Sequence, residues 1–211
     1  MPKVFLLCLM AALPARLPAT VADRIAAVID RQVLTVSEVS QMVALHFFPH
    51  AAGQPDDAYR REVLDNLIAQ ALRYRDVERF GAQDIPKDAI EVRLAEIQSR
   101  FSSPAEFEAA RIRAELTLDE VRALIKRQLQ VEAYVQERFS PMIFVSSDEI
   151  QTYYNGPWSQ QRRARGLPIP PLAEVREEIR TTLKSTSLQK EIETWTAQLR
   201  SHVNVDIYAW K

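Results

Sequence analysis

From Asp23 onward the chain alternates. In "DRIAAVIDRQVLTVSEV", Ile25, Ala27 and Ile29 point one way and Ala26 and Val28 the other, with "DRQ" turning into "VLTV". Alternation with a period of two predicts a β-hairpin. The turn holds neither Asn-Gly nor Asp-Gly, so the pattern leaves its register open. A two-stranded ribbon is marginal in water by itself, so this one must lean on something further along the chain.

After the hairpin the apolar period lengthens to three and four. Four stretches fit the capping box, in which a hydroxyl takes the third amide of a helix and a carboxylate reaches back: Thr35 to Glu38, Ser103 to Glu106, Thr117 to Glu120 and Ser146 to Glu149. Pro104 follows Ser103 at the first helical position, where a missing N–H costs nothing. In "YRREVLDNLIAQALRYRDVERFG", Leu64, Leu67, Ile68, Ala71 and Leu72 form one helical stripe and Gly81 is a natural C-cap. Ile90, Leu94 and Ile97 mark a helix in "PKDAIEVRLAEIQSRF". Further helices are predicted in "SPAEFEAARIRAEL", in "TLDEVRALIKRQLQVEAYVQERF" up to Pro141, and in "SSDEIQTYYNGP" after "IFV".

"GPWSQQRRARGLPIPP" (Gly156 to Pro171) changes composition and reads as a linker or loop. Beyond it, Val175, Ile179, Leu183, Leu188, Ile192, Trp195, Leu199 and Val203 predict one long amphipathic helix. Val203, Val205 and Ile207 then alternate in a closing strand. Two strand-like ends around a helical middle imply a mainly α fold whose terminal strand pairs with the opening hairpin in a small sheet. That pairing would supply the support the hairpin needs.

The first 22 residues follow a different pattern. Lys3, the apolar run "VFLLCLMAALPA" and the small-residue exit "ATVA" read as a secretory signal peptide, with Thr20 and Ala22 before the cut. The run is too short to span a bilayer, although Arg16 and two prolines make the leader irregular and keep a retained anchor as the alternative. The single cysteine, Cys8, lies inside it, so the exported chain would have no thiol chemistry.

Composition narrows the function more than it names it. Across 211 residues, 47% hydrophobic and 26% charged, the chain has an ordinary globular balance. With 27 basic and 28 acidic residues the net charge is −1, which offers no basic footprint for nucleic acid. Four glycines and no GxGxxG or GxxxxGK[ST] disfavour a phosphate cradle. His46 and His50 are four apart, but Pro49 ends any helix between them, and a helix end is the simpler reading than a metal clamp. His202 suits a helix C-terminus. Asp56–Asp57 and Glu177–Glu178 read as solvated charges, and the basic run Arg162 to Arg165 as a solvated turn rather than a lipid or nucleic-acid contact. No catalytic constellation emerges.

The order of the segments quoted above, closed by "EIETWTAQLRSHVNVDIY", resembles the core of the SurA family of periplasmic chaperones for outer-membrane proteins. The resemblance runs from Asp23 to about Asn155 and again from Pro171 to Tyr208. It implies a signal peptide over 1–22, a first part of the core over 23–155, a linker over 156–170, and a C-terminal helix and strand over 171–211 that complete the core. Relatives insert parvulin-type prolyl isomerase domains where this chain has only "GPWSQQRRARGLPIPP". The glycine-free "DRQ" turn is a second departure.

The resemblance implies a periplasmic holdase without ATP, metal or other cofactor, not an enzyme, that binds unfolded or extended outer-membrane protein segments and no nucleic acid, with weak self-association as an option. Flexible Met and aromatic side chains suit varied partners. Met42, Leu45, Phe47, Phe48, Phe144, Tyr153, Tyr154 and Trp158 are therefore the candidate client contacts. Extended clients could also add to a strand edge. A dedicated partner of one envelope complex and a prolyl isomerase are the alternative readings.

Overall fold

A computed structural model describes residues 23–209. The expected leader, with Cys8 and the cut after Ala22, lies outside the described residues.

The opening segment is the expected hairpin. β1 (Ile25–Ile29) and β2 (Gln32–Thr35) pair antiparallel, Ile29 opposite Gln32, Val28 opposite Val33 and Ala27 opposite Leu34. Asp30 and Arg31 form the turn, and Asp30 adopts φ 53°, a left-handed conformation that aspartate tolerates better than most residues. The simple alternation does not survive to the start of β1. A bulge between Ile25 and Ala27 inserts Ala26, so Ala26 and Ala27 are both fully buried while Ile25 is 46% exposed. The expected row of Ile25, Ala27 and Ile29 thus holds only for the last two.

The terminal strand arrives where the hairpin needs it. β3 (Val205–Ile207) pairs antiparallel with β1, and the sheet order is β2-β1-β3. Asp30 fastens this corner. Its N–H donates to the Asn204 carbonyl at 2.9 Å, its Oδ1 accepts from the Asn204 N–H at 3.0 Å, and its Oδ2 accepts from Arg75 at 2.8 Å.

Helices fill the middle: α1 (Val36–Ala44), α2 (Asp56–Phe80), α3 (Lys87–Gln98), α4 (Pro104–Arg113) and α5 (Leu118–Arg138). Three capping boxes form in full, at Thr35, Thr117 and Ser146. At α4 only half forms: Ser103 accepts from the Glu106 N–H, but the Glu106 carboxylate takes the N–H of Ser102 instead. Gly81 ends α2 at φ 99°, a conformation open to glycine.

After a 3-10 turn at Ser140–Met142 comes α6 (Ser147–Tyr153). The helix then runs past the expected loop boundary, through a π turn at Tyr154–Trp158 and on into α7 (Ser159–Ala164). Pro157 explains the widened turn, since it has no N–H and its ring clashes with the carbonyl four residues back; Gly156 absorbs the kink at φ −102°, ψ −108°. Trp158 and Tyr154, stacked at 5.4 Å, hold this stretch in place, which composition alone did not suggest.

The 30-residue α8 (Leu172–Ser201), about 45 Å long, runs alongside two apolar clusters. Its first half packs Val175 and Ile179 against Val145, Ile150 and Trp158. Its second half packs Trp195 against Val77, Val131, Val135 and Phe139 of α2, α5 and the turn that follows. The main core lies between the sheet and α1 to α5, centred on Ile29, Leu45, Ile68, Leu72, Phe107 and Ile125. Among the described residues no helix is long and apolar enough to cross a membrane.

Candidate binding trough

Where β2 and α1 face α2 and α5, the apolar stripe of each helix is wider than its neighbours can cover. Ile68, Leu72 and Ile125 go into the core, while Leu67, Ala71 and Leu124, on the edges of the same stripes, stay half-buried. They floor a trough of two adjoining hollows, about 410 and 260 Å³, together with Leu34 and Met42.

The rim is charged and mixed in sign. Glu38 and Glu120 are held in place by their capping boxes, and the backbone N–H of Thr117 holds the Glu120 carboxyl below the usual range. Arg127 lies 5.5 Å above the Tyr74 ring, whose phenol is pushed up by burial and then by Glu78. Arg75 is tied to Asp30. The result is an apolar floor with carboxylates and guanidinium groups spaced around it, suited to holding a side chain or an extended segment. It holds no arranged nucleophile and base, and among the described residues no group of His, Cys, Asp and Glu is placed to hold a metal ion. His46 and His50 turn to different partners, His46 stacking on Phe101 at 4.7 Å and His50 on Tyr59 at 4.3 Å.

The eight residues singled out from the sequence do not form one surface. Met42 and Phe47 line the trough. Leu45 is buried in the main core, and Phe48 packs edge-on against Phe47 at 5.5 Å with its carbonyl accepting from the Tyr59 hydroxyl at 2.7 Å. Tyr153, Tyr154 and Trp158 belong to the cluster at the start of α8. Phe144 stands apart, 83% exposed between α5 and α6, near Met142 at 64%. Leu34, Leu67, Ala71, Tyr74 and Leu124 were not proposed as contacts. For Leu67 and Ala71 the signal is their edge position on the helical stripe that the sequence shows.

No family model matches the chain. Three curated relatives do. A protein named Chaperone SurA from Pseudomonas putida is 26% identical over 137 residues, 62% of this chain and 32% of the relative. Proteins of the same name from Saccharophagus degradans and Pseudomonas fluorescens are 25% and 24% identical over nearly the same extent. The matched stretch spans about a third of the length of these relatives. The chain is thus similar to the SurA chaperones, and these likenesses support a SurA-like chaperone core.

Proposed function

We propose that this chain is a periplasmic holdase that keeps unfolded outer-membrane proteins from aggregating by holding extended apolar segments in the trough. The observation that carries the reading is the half-covered floor of Leu67, Ala71 and Leu124, based on the buried Leu34 and Met42, beneath a mixed-charge rim. Relatives named as chaperones, and not as enzymes, support it. Met42 suits such a floor because an unbranched thioether adapts to many shapes. No nucleotide motif occurs in the sequence, so release would come from the client folding or being passed on.

The test is light scattering of a β-barrel protein diluted from urea, with an unfolded soluble cytosolic protein as the control client. Near-stoichiometric suppression for the barrel protein is expected. No suppression for either client would overturn the holdase and favour a partner dedicated to one envelope complex. Catalysis in a proline-limited refolding assay would favour the isomerase.

A further inference from the structure

The trough is not bounded by side chains alone, because β2 is an outer strand of the sheet. With a two-residue turn, Ile29 and Gln32 exchange hydrogen bonds, and so do Ala27 and Leu34. Val33, between them, therefore points its N–H and C=O away from β1, and no group among the described residues bonds to either. The neighbouring outward N–H, that of Thr35, is already taken by the Glu38 carboxylate at 2.7 Å.

Exposed edges are usually blunted by lysine, proline or an inward charge. "QVLT" has none of these; its brevity, four residues, is the one such device on this strand, and the bulge of the hairpin sits on β1 instead. Gln32 and Leu34 face the trough while the Val33 side chain lies on the other face, 45% exposed. A free backbone N–H and C=O on one outward-facing residue, with an apolar floor beside them, match an extended peptide backbone and not a helix, whose own groups are already paired.

We propose that the outer edge of β2 is a strand-addition site that takes an extended client segment of alternating apolar residues, paired through the Val33 N–H and C=O. This deepens the trough reading and rests on it. Paired residues on adjacent strands share a face. The client residue opposite Val33 therefore turns its side chain away from the trough, while its neighbours on either side drop theirs onto Leu34, Met42, Leu67 and Leu124. The inference thus specifies which client amides face β2: those of the residues whose side chains are not in the trough.

The test uses a blocked peptide of about eight residues alternating phenylalanine with threonine, and two N-methylated versions of it. Binding to the purified chain is read by calorimetry. Methylation at the threonine amides is expected to weaken binding about tenfold, and methylation at the phenylalanine amides to leave it within about twofold. Val33→Pro should reproduce the loss and Val33→Thr, which keeps the N–H, should not. Equal binding of all three peptides would overturn strand addition, and so would failure of the parent peptide to bind. Equal peptide binding that is nevertheless lost in Leu124→Lys would leave the trough standing without strand addition. Peptide binding untouched by Leu124→Lys would remove the trough as well.

Discussion

Asp30 shows how a single residue closes this fold. It occupies a left-handed turn position where glycine or asparagine is the usual choice, and its side chain serves both Asn204 and Arg75. Arg75, and then the Asn204 N–H, hold its carboxyl below the ordinary range. The folded state therefore binds this proton less readily than the unfolded chain does. The contribution is fully present above about pH 4 and is lost as the pH falls through the lowered value. Asp30→Asn keeps the turn but removes the charge. It should lower Tm near neutral pH, and the gap to the parent protein should begin to shrink below about pH 4 and close as the pH falls through the lowered value. Thermal melts across that range check this, and a gap that stays constant would assign the effect to the turn alone. The sequence showed Asp30 only as a missing glycine, because its partners lie 45 and 174 residues away.

Elements were legible where the period was local. Each predicted helix start with a hydroxyl cap is a helix start in the structure, because a cap and its carboxylate are three residues apart. The π turn and α7 were not legible, since proline, glycine and a basic run outweighed the buried Trp158 in a reading by composition. The bulge at Ala26 was hidden because either face of an alanine pair can be buried. In α8 both halves of the apolar stripe were visible, but not that they serve separate clusters. Trp195 sits among Tyr134 at 5.6 Å and Phe139 at 5.4 Å, and its indole N–H reaches Asp76 at 3.2 Å. Trp195→Ala should cost about 3–5 kcal/mol of global stability. Ile179→Ala, in the cluster at the other end of the helix, should cost about 2–5 kcal/mol. That loss should fall mainly on local opening of α6 and α7, seen as faster amide exchange there with α2 and α5 still protected. Equal loss of protection throughout would show one cooperative unit.

At the scale of the whole molecule, the two chain ends meet in a sheet whose outer strand borders the trough. The half-covered apolar surface therefore lies along β2, on the side of the hairpin opposite the one that the C-terminal strand braces. Sequence reasoning found the fold from order and period. Of the Met and aromatic candidates that the sequence offers, Met42 and Phe47 line the trough and most of the others pack into cores, while Leu67, Ala71 and Leu124 add the aliphatic edges of their stripes. Whether a stripe edge is covered depends on the neighbour, which is not written in the helix itself.

The most direct measurement compares suppression of barrel-protein aggregation by Leu124→Lys and by Phe144→Ser, each first shown by circular dichroism and thermal melting to be folded. Leu124 is half-buried in the trough and Phe144 is exposed beyond the end of α5, outside the trough lining. Loss of most of the suppression in Leu124→Lys, with Phe144→Ser close to the parent protein, is the expected result. Full suppression by Leu124→Lys, with loss in Phe144→Ser, would place the client surface on the α5–α6 connection and contradict the account.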